Sequence, residues 1–368
     1  MEKRNKSLPG IMLIGVLWLT LTLASWFSAP KEISFSERRK LEQFPGITWD
    51  SILSGEFMEG FEKYTLDQFP LRDTFRTVKA MNAFYIFFQK DNNDIYIADG
   101  YAAKLEYPLK EDSIRSAAQK FTYIYERYMK GKDNKIFLSL VPDKGYFLAE
   151  KNSYPSMDYD RLFSIMETNM PFAQYVDITE ALKLSDYYKT DTHWRQEEIL
   201  DGANTLADAL GIERSGLEDY TKMKADIPFY GVYYGQSALP LKSEPLYYLT
   251  NETLEGAIVY NEETGKESKI YDMNKLGSRD PYEIFLSGAA ALLYIENPKA
   301  TTDRELIVLR DSFGSSIVPL LVHGYKKITL VDIRYIQSDI IGDYINFDNQ
   351  DVLFLYSTPI LNNSSSLK

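Results

Sequence analysis

The chain contains, from Glu305 to Tyr325, the stretch ELIVLRDSFGSSIVPLLVHGY. Leu306 to Leu309 is a short apolar run, and apolar residues with helical spacing begin at Ile317, so the stretch predicts a buried strand, a tight turn and a helix. Ser312 lies on the turn, where a hydroxyl stands at the rim of a sheet beside backbone N–H groups. Such a serine either caps the helix or acts as a nucleophile in acyl transfer, and taken alone the cap is the more common role.

Helices and strands alternate along most of the chain, which predicts an α/β fold of three layers, α/β/α, around a mostly parallel sheet of about five strands. The predicted strands are Lys135 to Val141, Tyr175 to Val176, Leu306 to Leu309, Ile328 to Val331 and Val352 to Tyr356. A further helix is expected over Ile336 to Ile345. Short tyrosine-rich segments between Pro228 and Glu283 predict an antiparallel β insertion.

Composition excludes several classes of site. The chain has 368 residues, 45% of them hydrophobic, and a formal net charge of −12, which argues against nucleic acid as a partner. It has no cysteine and only two histidines, His193 and His323. Thiol nucleophiles, thiolate-held clusters and zinc sites built from several His or Cys ligands are therefore excluded, and we expect neither a metal nor a cofactor.

The N-terminus predicts a membrane anchor. Lys3, Arg4 and Lys6 precede an apolar core from Leu8 to Phe27 that is long enough to cross a bilayer as a helix. The positive charges predict a cytoplasmic N-terminus and an extracytoplasmic remainder. A cleaved signal peptide is the alternative, although the core is long for one. The expected organisation is an N-terminus and anchor (1–31), a juxtamembrane segment (32–72) and a catalytic domain (73–368) with its insertion at about 226–284.

A serine nucleophile needs a base and a group that orients the base. His323 follows Ser312 on the same predicted helix, roughly 15 Å away along the axis, so it cannot reach the hydroxyl. His193 remains, and Asp191 lies two residues before it, which places both side chains on one side of an extended segment. An ordinary helix-entry loop with an Asp cap is the alternative interpretation.

Asp191-Thr-His-Trp194 resembles the signature of the DHHW family, which is related to the alginate O-acetyltransferases of the AlgX and AlgJ type. The resemblance extends in order from about residue 60 to residue 357 and includes Val141-Pro-Asp-Lys144, Asp280 to Gly288, Leu309 to Gly314 and Asp332 to Tyr335. It implies a fold like that of SGNH hydrolases with a permuted chain, in which the Asp and His precede the Ser.

Carried over by matched position, the resemblance implies that Ser312 is the nucleophile, His193 the general base and acid, and Asp191 its orienting carboxylate. The oxyanion hole would use the backbone N–H groups of Ser312 and Gly288. Two positions depart from the family pattern. Thr192 replaces the second histidine of the signature, and Ala289 stands where many relatives carry an asparagine donor.

Two further sets of residues are weaker candidates for contacts with substrate. Tyr230, Tyr233 and Tyr234 could stack on a sugar or simply pack the insertion. Arg310 and Arg334, at strand ends, could line the cleft, although ordinary ion pairs with neighbouring aspartates are the more common role.

These features together predict a membrane-anchored, extracytoplasmic serine O-acyltransferase that transfers an acyl group, expected to be acetyl, through acyl-Ser312 to a cell-envelope or secreted polysaccharide. The resemblance implies a membrane-bound O-acyltransferase as acyl donor. A carbohydrate esterase with the same triad and a non-catalytic polysaccharide-binding or assembly protein remain alternatives. A glycosidase with two carboxylates is not excluded, but no pair of the 53 acidic residues is singled out.

Overall fold

A computed structural model describes residues 8–368. The positive charges that predict the orientation of the anchor, Lys3, Arg4 and Lys6, lie outside the described residues. Two compact units are present: one contains the described residues up to Asn92 together with Gly235–Pro240, and the other contains Asn93–Tyr234 and Leu241–Lys368.

The first unit begins with an apolar helix. Its helices are α1 (Leu8–Phe27), α2 (Trp49–Ser54), α3 (Glu56–Asp67) and α4 (Arg72–Met81), with a π-helical turn at Asn82–Ile86, and its strands are β1 (Ile33–Ser34), β2 (Arg39–Lys40) and β3 (Asp91–Asn92). Within α1, Pro9–Phe27 has a mean hydropathy of 1.9 and is long and apolar enough to cross a membrane, as a signal sequence would also be. It is the one such helix among residues 8–368.

The second unit contains most of the strands and the remaining helices. The strands are β4 (Ile95–Ala98), β5 (Tyr101–Lys104), β6 (Lys135–Val141), β7 (Gln174–Tyr175), β8 (Thr221–Phe229), β9 (Glu244–Thr250), β10 (Ile258–Asn261), β11 (Lys266–Ser268), β12 (Leu292–Glu296), β13 (Glu305–Arg310), β14 (Lys327–Val331) and β15 (Asp351–Ser357). The helices are α5 (Glu111–Ile124), α6 (Lys144–Leu148), α7 (Tyr159–Asn169), α8 (Leu200–Leu210), α9 (Val232–Ser237), α10 (Glu252–Gly256), α11 (Gly314–Ile317) and α12 (Thr358–Asn362), of which α9 ends with residues that are assigned to the first unit.

One eight-stranded sheet forms the centre of the second unit, in the order β11-β10-β12-β14-β13-β15-β6-β7. The neighbours from β14 to β7 pair in parallel. The predicted mixed α/β fold with a large, mostly parallel sheet is therefore confirmed. Alternate residues of β13 pack into two separate cores, Leu306 and Val308 into one and Ile307 and Leu309 into the other, so both faces of the sheet are covered.

The sheet is larger than the sequence suggested because β10, β11 and β12 extend it with antiparallel pairings. The tyrosine-rich insertion thus divides: β8 and β9 form a separate two-stranded sheet, whereas β10 and β11 belong to the edge of the main sheet. The predicted helix over Ile336 to Ile345 is wrong. Only a 3₁₀ turn forms there, Ile341–Asp343, in a segment that Ser338, Asp339 and Gly342 make a poor helix.

The chain after β13 makes the strand–turn–helix unit that the sequence predicted, but the helix changes character. α11 has four residues and continues as a 3₁₀ helix, Val318–Gly324, with Pro319 in its first turn. Proline has no N–H to complete an α-helical hydrogen bond, so the α-helix cannot continue through this position. Ser312 therefore lies at the carboxyl edge of the parallel strands, two residues beyond the end of β13.

Candidate active site

Asp191, His193 and Ser312 lie in one hydrogen-bonded series. The Nδ1 of His193 is 2.6 Å from Oδ1 of Asp191, and its Nε2 is 2.8 Å from Oγ of Ser312. A carboxylate can only accept, so Nδ1–H donates to Asp191 and, in the neutral ring, Nε2 accepts from the serine hydroxyl. This is the tautomer that a general base requires. Asp191 is fully buried, while Ser312 is half-exposed.

The carboxylate of Asp191 is held by backbone N–H groups. Its Oδ1 also accepts from the backbone N–H of His193 at 3.1 Å, and its Oδ2 accepts from that of Val232 at 2.8 Å. Gly231 makes the second contact possible, because a Cβ at this position would collide with the backbone carbonyl of Thr190. The segment around Val232 therefore approaches Asp191 through its backbone.

Aromatic rings fix the imidazole of His193. The ring of Tyr282 stacks on it with centroids 4.0 Å apart and an angle of 7° between the planes, and Phe313 lies 5.1 Å away at a tilt. Burial raises the pKa of the Tyr282 hydroxyl well above its ordinary value, so it remains a hydrogen-bond donor at any working pH. No local pattern in the sequence predicts this contact, because Tyr282 is 89 positions from His193 in the chain.

Ser316 ties the histidine segment to the nucleophile turn. Its Oγ accepts from Nε1 of Trp194 at 2.8 Å and from the hydroxyl of Tyr282 at 2.7 Å. Its carbonyl accepts from Nε2 of Gln196 at 2.8 Å. These bonds join Trp194 and Gln196, which follow His193, and Tyr282, which stacks on its ring, to the helix that follows Ser312, and this fixes the distance between base and nucleophile.

Asp311 fixes the turn that carries the serine. Its Oδ1 accepts from the backbone N–H of Phe313 at 3.0 Å, and its Oδ2 accepts from that of Ser357, at the end of β15, at 2.7 Å. The carboxylate is thus occupied by the backbone of its own turn and of the neighbouring strand. The backbone N–H of Ser312 has no hydrogen-bond partner among residues 8–368, which leaves it available to an incoming oxyanion.

Lys144 is a buried cation close to the triad. Its ammonium donates to the backbone carbonyls of Ala102 and, at 2.9 Å, Tyr188, and it lies 4.8 Å from the centre of the Tyr233 ring. Burial lowers the pKa of Lys144 to about 7, and the nearby charge of Asp191 opposes that shift. The residue ends the Val141–Lys144 motif, so the motif places near the aspartate an amino group that is charged only below about pH 7.

Other residues predicted to meet substrate lie in different surroundings. Tyr233 is only 7% exposed, and one face of its ring is covered by Lys144. Tyr230 is 40% exposed and packs against Tyr234 with ring centroids 4.6 Å apart. Of the three tyrosines, Tyr230 therefore presents the most ring surface to solvent.

The two arginines are engaged within the protein. Arg310 is 1% exposed, and its Nη1 donates to the carbonyl of Asp311 at 3.2 Å and to Oγ of Ser315 at 3.1 Å. Burial lowers the pKa of its guanidinium. Arg334 donates from Nε and Nη2 to the carboxylate of Asp332, at 2.8 and 2.6 Å. Arg334 therefore makes an ion pair of the kind that the sequence left open as the alternative, whereas Arg310 donates to a backbone carbonyl and a hydroxyl.

The loop at Leu286 to Gly288 is strained. Leu286, Ser287 and Gly288 have φ values of 55°, 59° and 87°, a left-handed conformation that is costly for the first two. The backbone N–H of Gly288 donates to the carbonyl of Phe285 at 3.2 Å. A Cβ at Gly288 would lie 2.7 Å from Cγ of Glu283, so glycine is required there on steric grounds as well.

His323 lies away from this series. Its Nε2 is 2.8 Å from the carbonyl oxygen of Glu213. Among residues 8–368 there is no group of three or more His, Cys, Asp or Glu side chains that could hold a metal ion. The base available to Ser312 within the described chain is His193.

A half-exposed serine, a histidine and a buried aspartate in series, at the carboxyl edge of a mostly parallel sheet, are the arrangement of serine hydrolases and serine acyltransferases. The family model of the DHHW proteins matches residues 157–331, a range that contains all three residues. The resemblance to the DHHW family that the sequence indicated is thereby confirmed.

Solved structures share the fold. A DHHW family protein from Eubacterium siraeum is 20% identical, with a TM-score of 0.60 over 76% of this chain and 97% of its own. Bacillus cereus PatB1, in a structure with a sulfonyl adduct, is 20% identical, with a TM-score of 0.59 over 73% of this chain and 95% of its own. No curated protein matches the chain.

Proposed function

We propose that this protein is a membrane-anchored, extracytoplasmic serine O-acyltransferase that transfers an acyl group, acetyl in the first instance, to a hydroxyl of a cell-envelope or secreted polysaccharide. The observation that carries the proposal is the series Asp191–His193–Ser312, with contacts of 2.6 and 2.8 Å and the tautomer that a base requires. The apolar helix α1 supports the anchor, and the DHHW resemblance supports acyl transfer to a polysaccharide.

In the first half-reaction His193 Nε2 takes the proton of the Ser312 hydroxyl as Oγ attacks the acyl carbonyl carbon. The carbonyl oxygen becomes an oxyanion, which the backbone N–H of Ser312 stabilises. As the tetrahedral intermediate collapses, His193 returns the proton to the leaving group of the donor. The product is acyl-Ser312, and Asp191 stabilises the imidazolium that forms on the way.

The second half-reaction repeats these steps with a sugar hydroxyl. His193 takes the hydroxyl proton, the sugar oxygen attacks the acyl carbon, and Ser312 Oγ leaves with the proton that His193 returns. Gly288 is the proposed second oxyanion donor, and its N–H must then exchange the 3.2 Å bond to Phe285 for the oxyanion. A membrane-bound O-acyltransferase partner is the proposed source of the acyl group.

The test is acyl transfer from p-nitrophenyl acetate by the full-length chain in detergent or nanodiscs. Ser312→Ala and His193→Ala should each abolish turnover. His323→Ala is the matched control, because it removes the other histidine and should leave turnover unchanged. Mass spectrometry with oligosaccharide acceptors then separates transfer to sugar from hydrolysis. Equal turnover by the wild type and Ser312→Ala would refute the proposal.

One observation favours a second candidate, a non-catalytic polysaccharide-binding protein. The Gly288 N–H is already bonded within its own loop, and Ala289 supplies no side-chain donor. Labelling with a serine-directed fluorophosphonate distinguishes the two functions. An adduct at Ser312 supports the acyltransferase, and its absence in the folded protein supports the binding role.

A further inference from the structure

Helix α4 has its polar and apolar sides reversed relative to an ordinary surface helix. Arg72 and Arg76 face into the first unit, where their guanidinium groups lie 2.5 and 3.2 Å from the carboxylate of Glu37. A helix at a water-facing surface normally packs its apolar side inward and points its charges outward. Here the two arginines are inside and paired with Glu37, while Asp73 and Lys79 remain exposed.

The outward side is apolar. Its members recur at helical spacing along α4 and the following π turn and are 47%, 50%, 42% and 68% exposed: Phe75, Val78, Met81 and Tyr85. We refer to these four residues as the apolar face. Exposed apolar side chains continue directly after them at Ile86, Phe87 and Phe88, which are 62%, 71% and 81% exposed. A contiguous exposed apolar surface of this kind marks a contact with something other than water.

The beginning of α4 is held close to the end of the apolar helix α1. Lys31, four residues beyond Phe27, donates its backbone N–H to Oε1 of Gln68 at 2.8 Å, and its carbonyl accepts from Nε2 of Gln68 at 2.8 Å. Four residues of extended chain span at most about 14 Å. A cleft at this junction is lined by Leu21 and Ala24 of α1 and by residues around Leu71. If α1 spans a membrane, α4 therefore starts at the membrane surface.

We propose that the apolar face of α4 lies in the interfacial layer of the bilayer that holds α1. This inference rests on the anchoring part of the proposed function and is independent of the catalytic part. Helices that lie in a membrane interface bury one apolar side to about 5–10 Å, and aromatic residues favour that depth. The arginines of α4 are paired with Glu37, so attraction to anionic lipid contributes little and a neutral phosphatidylcholine bilayer suffices.

The chain has no cysteine, so one introduced cysteine can be labelled at a single position. An environment-sensitive fluorophore is attached to Val78→Cys on the apolar face and, in the matched control, to Asp73→Cys on the opposite side of α4. The same fluorophore on Leu17→Cys reports whether α1 lies in the bilayer. The full-length protein is placed in phosphatidylcholine nanodiscs containing spin-labelled lipid as a quencher. Because a helix is about 10 Å across, we expect strong quenching at positions 78 and 17 and at least threefold weaker quenching at 73.

Two outcomes would overturn the inference. Quenching at position 17 with equal, weak quenching at 78 and 73 would mean that α1 is anchored while the apolar face meets another protein. Absence of quenching at all three positions would mean that the anchor itself is wrong. Turnover of p-nitrophenyl acetate by the same samples tests the catalytic proposal separately, and circular dichroism of each labelled variant verifies that it is folded.

Discussion

Asp191→Asn is the substitution that tests the proposed site most directly, since it keeps the shape of the side chain and changes only its charge and its hydrogen-bonding capacity. The carboxylate accepts from the backbone N–H groups of His193 and Val232 and from Nδ1 of the His193 ring. An asparagine has one oxygen to accept with and one amide group that can only donate. It cannot serve all three donors in either orientation.

Each orientation of the asparagine has a different cost. If its amide group faces Val232, a buried N–H loses its acceptor, which costs about 1–3 kcal/mol of stability. If the amide group faces His193, it donates to Nδ1, the proton moves to Nε2, and the ring can no longer accept from Ser312. In both orientations the negative charge beside the imidazolium is lost. In a serine protease with the same triad, replacing the aspartate by asparagine lowers kcat about 10⁴-fold.

For this chain we expect a fall in kcat of about 10³- to 10⁴-fold, or about 4–5.5 kcal/mol of transition-state stabilisation. The assay is steady-state turnover of p-nitrophenyl acetate, with thermal unfolding measured on the same samples. Asp201→Asn, at an exposed position in the first turn of α8, is the matched control and should retain full activity. An Asp191→Asn enzyme that keeps more than a tenth of wild-type kcat would refute the role assigned to Asp191.

Three further substitutions test other parts of the site. Gly231→Ala introduces a Cβ against the carbonyl of Thr190 and should lower kcat/KM for p-nitrophenyl acetate at least tenfold, because the N–H next to it moves away from the aspartate; unchanged kinetics would contradict this. Burial lowers the pKa of Lys144 to about 7, so from pH 7 to 9 the unfolded chain holds a proton that the folded chain has lost. The free energy of unfolding, measured by urea denaturation, should therefore rise by about 1.4 kcal/mol per pH unit across that range. This rise should be absent in Lys144→Met. Ala289→Asn, at an exposed position of the proposed oxyanion loop, should raise kcat about tenfold or more if its amide reaches the oxyanion, and a rate at or below that of the wild type would exclude it as a donor position.

Local patterns in the sequence were sufficient to predict the strands at the centre of the sheet. The apolar runs that became β6, β13, β14 and β15 are buried on both faces, so each is a continuous hydrophobic segment that stands out from its surroundings. β12 is similarly apolar, but it pairs antiparallel with β14, and no pattern within β12 indicates which strand is its partner. Its place depends on pairing between distant segments, which a pattern within one segment does not record.

The candidate site likewise contains residues that local patterns could predict and residues that they could not. His193 was selected from two histidines by the distance along a helix, and Asp191 by its spacing of two residues, so both depended on short-range geometry. Tyr282 and Ser316 could not be found in this way. Each is one of many similar residues, and its contact with the histidine segment arises only when the loop before β12 and the helix after β13 pack together.

The position of the rings around His193 also bears on the choice between transfer and hydrolysis. Tyr282 covers one face of the imidazole and Phe313 lies against it at a tilt, while Nδ1 is occupied by Asp191. Nε2 is therefore reached from the side on which Ser312 is exposed. A water molecule and a sugar hydroxyl that attack acyl-Ser312 must both approach that nitrogen to lose a proton, so they compete for one path. A polysaccharide that fills this path would exclude the water that hydrolysis needs, and transfer then depends on how tightly the acceptor is held.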